Sequence, residues 1–354
     1  MPVDKTPTIS DVARRAGVSI ATVSRVLNLT AVVAPQTAEK VRSTIDELGF
    51  VPRTAARVLA SRKTNTIGLI LPEISGSFFP PMLSGIESEA RHAGYWLLIH
   101  SMQDSSSPQV LGEHNTDGLL IFTDSLHKDE LVALYRKGFP VVLLHDTPPE
   151  DLSIPVVTVE NKFGAKKLVN HLIKVHHRRR IAYLQGPPAH EDSRWRERGY
   201  CDALDANGIP FDPALIVMGG FDEDEAYQAV QYMLHAGVDM DAIFAGNDDA
   251  AIGALRALKQ SGPHVPGDVA VVGFDDVPFA QHLTPALTTV RSPIEQVGRA
   301  AVRQLLRLLH DQPADPLTLL PTELVIRESC GCQSPPTNAL NRTLATISGG
   351  AQEQ

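Results

Sequence analysis

Residues 8–28 read TISDVARRAGVSIATVSRVLN, and their spacing decides how the rest of the chain is read. Thr8 opens a helix-start pattern, with Asp11 three residues later where a carboxylate can answer the N-cap. Ile9, Val12, Ala13 and Ala16 recur at helical spacing, and Gly17 stops the helix. Ser19 stands as N-cap of a second helix from Ile20 to Leu27. On it Val23, Val26 and Leu27 face one way and leave Ile20, Ala21, Thr22, Ser24 and Arg25 elsewhere. Pro35 and Thr37 open a third helix, apolar at Val41, Ile45 and Leu48 and closed by Gly49. Two helices joined by a glycine turn, followed by a packing helix, form the helix-turn-helix plan.

Charge supports the same reading. The chain has 354 residues and a net charge of −9. Residues 1–63 carry ten basic and five acidic side chains, a net of +5, so the remainder carries −14. A small basic head on an acidic body predicts that only the head meets a polyanion. On the second helix, Thr22 and Ser24 suit phosphate oxygens, and Arg25 can pair bidentately with a guanine edge. The stretch VPRTAARVLA (51–60) is short for a stable helix. It is read as a hinge helix that orders on DNA, with Leu59 as a minor-groove wedge, or else as a plain linker helix.

The body alternates apolar runs with amphipathic stretches. Strands are expected at 67–71, 95–99, 118–122, 141–144, 180–185, 242–244 and 269–274, with helices at 82–91, 130–137, 164–174, 194–207 and 248–260. This predicts α/β architecture with parallel sheets. Ligands of such sheets bind at the carboxyl ends of strands. That rule singles out Ser77, Phe79, His145, Asp146, Asn247 and Asp275, with Arg194 and Arg196 at a helix start and Phe221 in a loop. Carboxylates, an amide and an arginine can hold several sugar hydroxyls, and a phenylalanine can cover the apolar ring face.

DVARRAGVSIATVSRVLN and VRSTIDELGFVPRTAARVLASRKTNTIGLILP closely resemble the lac repressor family of bacterial regulators. The likeness continues in order through AIFAGNDDAAIGAL, VPGDVAVVGFDDVPFA, LTPALTTVRSPIEQVGRAAV and LPTELVIRES, spanning about residues 8 to 329. The resemblance implies a small all-α helix-turn-helix domain and an α/β core of two parallel-sheet subdomains like a periplasmic binding protein. The expected boundaries are 1–50 for the head, 51–65 for the hinge and 66–330 for the core. Within the core, 66–160 with 291–330 form one subdomain and 161–290 the other; 331–354 form a disordered tail. The resemblance also implies a homodimer on palindromic double-stranded operator DNA, most often repressing transcription, with a sugar or nucleobase setting affinity.

By the same resemblance, Ile20, Ala21 and Arg25 read bases, Thr22 and Ser24 hold phosphates, and Leu59 intercalates. The full DNA-contact set is Thr8, Ser19, Ile20, Ala21, Thr22, Ser24, Arg25, Asn28, Arg53, Ala56 and Leu59. The effector set is Ser77, Phe79, His145, Asp146, Arg194, Arg196, Phe221, Asn247 and Asp275, with Ser292 and Ile294 as further alignments. Arg53 stands where Asn is common, Ala34 where Ser caps the third helix, and His145 where Asp is common. After Gln103 the family's long helix is replaced by DSSSPQVLGEHNT, where a short turn or a stub helix near Ser107-Pro108 is expected.

Several classes are excluded. No apolar run approaches the ~20 residues that cross a bilayer, and MPVDKTPTISDVARR lacks the core of a secretory signal. With three cysteines and no even-numbered framework, a cytoplasmic location is expected. A periplasmic sugar-binding protein would fit the body and not the head. A glycoside hydrolase built on Asp248/Asp249 or Asp275/Asp276 would need carboxylates ~5–9 Å apart across a bond, which neighbours on one loop do not supply. No enzymatic activity, cofactor or metal is expected. Cys330 and Cys332 read as free thiols for want of two further ligands, and His176–Arg180 as a solvated basic turn.

Overall fold

Each predicted helix stop in the head is a backbone event. The computed structural model describes residues 7–28, 31–50, 63–102 and 111–333. The chain divides into a unit Met1–Thr64 and a unit Asn65–Gln354. The first holds α1 (Ile9–Ala16), α2 (Ile20–Asn28) and α3 (Pro35–Leu48). Thr8 and Asp11 form the reciprocal capping box, and Gly17 closes α1 at φ 65°, a left-handed conformation that glycine adopts without a Cβ penalty. Val12, Ala13, Ala16, Val23, Val26, Val41 and Phe50 make the core of this unit. Phe50, just past Gly49, is the one large aromatic in it and escaped the periodicity reading. Ala34 precedes α3 with no side-chain cap.

The second unit contains two parallel sheets. The first has the order β11-β5-β4-β3-β1-β2. Its strands are β1 (Thr66–Leu71), β2 (Trp96–Ser101), β3 (Gly118–Phe122), β4 (Val141–Leu144), β5 (Val156–Val159) and β11 (Leu317–Leu320). Side chains alternate across it. Leu69, Leu71, Leu120, Phe122, Val142 and Leu144 face α4 (Phe79–His92) and α10 (Ile294–Leu309). Ile70, Leu119, Ile121, Val141 and Leu143 face α5 (Lys128–Arg136). Helices α4 and α10 cross at paired glycines: a Cβ on Gly85 would lie 2.1 Å from Glu295 O, and one on Gly298 2.4 Å from Met82 O.

The second sheet has the order β7-β6-β8-β9, from β6 (Ile181–Gln185), β7 (Ile216–Met218), β8 (Ala242–Ala245) and β9 (Ala270–Val272). One face packs on α8 (Glu223–His235) and α9 (Asp248–Ser261). The other packs on α6 (Asn161–His176) and α7 (Glu191–Ala206). The chain passes between the sheets after β5, after β10 (Thr289–Arg291) and before β12 (Glu323–Val325); β10 and β12 pair antiparallel.

Four findings amend the sequence reading. Strands β5, β7, β10, β11 and β12 lie outside the sequence expectation, each only three or four residues long and too short for periodicity to declare, as do helices α8 and α10. Residues 324–332 do not stay with the first sheet: Leu324, Ile326, Cys330 and Cys332 pack into the core of the second. The His176–Arg180 turn is anchored, because Asp241 accepts the Arg179 and Arg180 amides and Arg178 donates to Pro266 O at 2.6 Å. Finally, the fold brings His171 and His176 beside Cys330 and Cys332, whose thiols are free. The hinge, the segment expected near Ser107-Pro108 and the tail beyond Gln333 lie outside the described residues.

Candidate functional site

On α2 the buried stripe of Val23 and Val26 turns a second face outward. Ser19, Ile20, Ala21 and Arg25 are exposed there, with Thr22 and Ser24 half-buried. Ile20, a large apolar side chain, is 51% exposed without packing to justify it, which suits contact with a thymine methyl. Ser19 Oγ accepts the Thr22 amide at 3.1 Å and fixes the helix start. Thr8 is held in its capping box by Asp11. Arg53, Ala56, Leu59 and the Asn28 side chain lie outside the described residues.

Between the two sheets lies a cleft of about 600 Å³. The first subdomain contributes Ser77, Phe78, Phe79 and Phe122; the second contributes His190, Asp192, Arg196, Phe221, Asn247, Asp249 and Asp275. Six residues expected from sequence therefore line it: Ser77, Phe79, Arg196, Phe221, Asn247 and Asp275. Local chain chemistry places them. Asn247 caps α9, its Oδ1 accepting the Ala250 amide at 2.9 Å while its Nδ2 donates to Phe221 O at 2.9 Å. Phe221 and Asp275 both have positive φ, 61° and 111°, at the loops after β7 and β9. Gly186 makes room for Phe221, since a Cβ there would lie 2.2 Å from its ring.

Arg196 anchors the floor. It is 2% exposed, and its guanidinium donates to Asn161 Oδ1 at 2.9 Å, Gly246 O at 2.7 Å and Asp275 Oδ1 at 3.1 Å. The group lies 3.9 Å above the Phe274 ring, a cation–π contact. Burial pushes the Asp275 carboxyl up, against the pull of Arg196. For Asp192, burial pushes up too, but His145 and Arg196 and the Asn161 amide together hold it below the ordinary value. Behind it, Asp248 is fully buried and pushed well up by burial and by Asp275; it accepts from Thr289 Oγ1 at 2.6 Å and from the Val277 amide. Asp192 and Asp248 stand in the first turns of α7 and α9 and Asp275 in the loop after β9, each engaged by neighbouring donors, so the site has the character of a polar binding floor.

Three expected residues are not on the cleft wall. His145 is 1% exposed and packs edge-on to the Phe78 ring, with Nδ1 2.8 Å from Asp192 Oδ2. It supports Asp192 from behind the lining. Asp146 bonds the Thr147 amide at 2.8 Å, and burial raises its carboxyl to about 6, with Glu191 and Asp124 adding repulsion. Arg194 is exposed because the inward stripe of α7 runs through Asp192, Ser193, Arg196 and Gly199; residue 194 falls on the outer face. Ser292 lies behind the floor, donating to Asp275 Oδ1 at 3.2 Å. Sequence reasoning missed Asp192 and Asn161. Asp192 had a local signal, a carboxylate four residues before an arginine on one helix; Asn161 had none.

Among the described residues the cleft's two walls meet at His145 with Asp192, at the Ser77 amide with Asp249 Oδ2 at 3.2 Å, at Thr147 Oγ1 with Glu191, and at the Phe122 and His190 rings. A three-helix head of helix-turn-helix plan joined in one chain to a core of two parallel sheets around a polar cleft is the architecture of a transcription regulator. Comparison with known proteins agrees. Residues 8–53 match the bacterial regulatory proteins of the lacI family, and residues 169–330 match the periplasmic binding protein-like domain. The chain is 36% identical to the regulator RegA of Clostridium saccharobutylicum, over 91% of this chain and 98% of that one. It is 35% identical to the regulator CelR of Thermobifida fusca over the same shares. Among solved structures, the lac repressor dimer bound to operator and the anti-inducer ONPF superposes with a TM-score of 0.81 at 28% identity, covering 92% of this chain and 99% of that one. A CelR–cellobiose complex gives 0.68 at 32% identity, covering 91% and 99%. The chain belongs to the lacI family of bacterial transcription regulators.

Proposed function

We propose that the protein is a repressor that binds a palindromic operator as a homodimer and that a sugar-type molecule in the cleft sets its affinity for DNA. The observation that carries this reading is the cleft floor. Arg196, Asn247 and Asp275 are held by their own hydrogen bonds with polar edges toward the cavity, while Phe79, Phe122 and Phe221 supply apolar faces. Fixed donors and acceptors beside aromatic rings match the hydroxyls and the C–H face of a sugar ring. The relative solved with cellobiose favours the same ligand class. Arg25 carries most direct base reading on α2, and action on operator DNA supports a cytoplasmic location.

The ligand works by stabilising one separation of the two subdomains, because its contacts come from both. That separation reaches the head through the chain that leads into β1. Two experiments test the proposal. A thermal-shift screen of the full chain against mono- and disaccharides, sugar acids and nucleosides should return a sugar or sugar acid; a nucleoside as sole hit rejects the sugar reading. Operator binding by the intact chain should exceed that of a chain lacking residues 1–63 by orders of magnitude; equal binding removes the head's assigned role.

A further inference from the structure

Two histidines and two cysteines, separated by more than 150 residues along the chain, converge where α6 meets the segment after β12. His171 Nε2 and His176 Nε2 lie 3.2 Å apart. Cys330 Sγ lies 3.5 Å from His171 Nε2, and Cys332 Sγ lies 3.6 Å from His171 Nε2 and 3.3 Å from His176 Nε2. All four ligand atoms fall within 4.8 Å of one another. Metal–nitrogen bonds of ~2.0 Å and metal–sulfur bonds of ~2.3 Å at tetrahedral angles demand ~3.3 Å between nitrogens and ~3.6 Å from nitrogen to sulfur. The nitrogen–nitrogen spacing and the three nitrogen–sulfur spacings above lie within about 0.3 Å of that set. The imidazole rings are steeply inclined, 73° between planes, so they meet at their nitrogen edges instead of stacking.

The surroundings are built for the same end. Gly331 sits between the two cysteines at φ 110°, and a Cβ there would lie 3.1 Å from the His176 ring. Only glycine lets the backbone pass that ring while both sulfurs turn to one point. Thr288 Oγ1 accepts the Arg327 amide at 2.8 Å, which directs its own proton to Cys330 Sγ at 3.1 Å. A hydroxyl donating to a coordinating sulfur is a common outer-shell partner in metal sites. Ser329, next to Cys330, is itself fixed by donating to Val271 O at 2.6 Å and accepting the Thr288 amide at 2.8 Å.

We propose that His171, His176, Cys330 and Cys332 form a tetrahedral site for a zinc-like divalent cation. Two sulfur and two nitrogen ligands suit zinc above magnesium or calcium, which take oxygen. Four protein ligands leave no open position, so the ion is structural: it clamps the last described segment of the chain to the end of α6. Binding releases the two thiol protons to solvent as zinc–thiolate bonds form.

The test uses the full chain purified under reducing conditions, stripped with a chelator and titrated with zinc against a competing indicator dye. The expected result is one zinc per chain, lost in Cys332→Ser and in His176→Gln, with a raised melting temperature only for the parent. Cobalt(II) in the parent chain should give the intense visible bands of a tetrahedral site and a thiolate charge-transfer band, a readout that needs no variant to fold. Failure to bind zinc in the dye's range overturns the proposal. So does stoichiometric binding that survives both substitutions, or octahedral cobalt spectra. A Cys330–Cys332 disulfide with no zinc uptake after reduction overturns it as well.

Discussion

Asp146 shows how a residue can be near a site and still answer to the fold. Burial raises its folded pKa to about 6 from an ordinary 3.8. The folded state therefore binds more protons than the unfolded one between about pH 4 and 6, and stability falls as pH rises through that window. Above it the cost of a half-buried carboxylate is fully present. Asp146→Asn removes that cost, so its gain in melting temperature over the parent should be larger at pH 7.5 than at pH 4.5. An equal gain at both would show that the carboxyl is not raised. Gly186 makes a second residue-scale case. Gly186→Ala drives a methyl into Phe221 and should cost about 1–3 kcal/mol in urea unfolding. It should also weaken any ligand that stabilises the parent; a neutral effect on both would mean that Phe221 is free to yield.

Among the elements, the head's helices were legible because their signals are local. The Thr8–Asp11 capping box, Gly17 and Gly49 all act within a few residues, and each is found where spacing put it. The uncapped start of α3 follows from the same logic. Ala34 has φ −52° and ψ 134°, near the extended backbone that a capping serine adopts. Ala34→Ser should stabilise the head by about 0.5–1 kcal/mol, read as a higher midpoint in hydrogen-exchange or thermal unfolding; no change would mean that the serine hydroxyl fails to reach the α3 amides. The cleft was partly legible, since strand-end position found Ser77, Asn247 and Asp275. It could not separate Arg196 from Arg194, which needs the inward stripe of α7. Asn161 and the His–Cys cluster were illegible because topology alone brings them together. Asn161 meets Asp192 across 31 residues, and His171 meets Cys330 across 159. Edge strand β2 keeps an apolar face outward, with Trp96 76% exposed.

At the scale of the whole molecule, charge is divided between head and body, +5 against −14. Binding to operator should therefore weaken steeply with salt through the phosphate contacts of the head, while ligand binding in the cleft should change little. A salt-independent operator affinity would contradict a phosphate-contacting head. The central claim is that the cleft governs the head. Its most direct test is fluorescence anisotropy of the full-length chain on its palindromic promoter site, titrated with and without a saturating sugar identified by thermal shift. The account predicts a change in operator Kd on the order of 5- to 150-fold, abolished in Asp275→Asn. A sugar that saturates the cleft and leaves the operator Kd unchanged would contradict it.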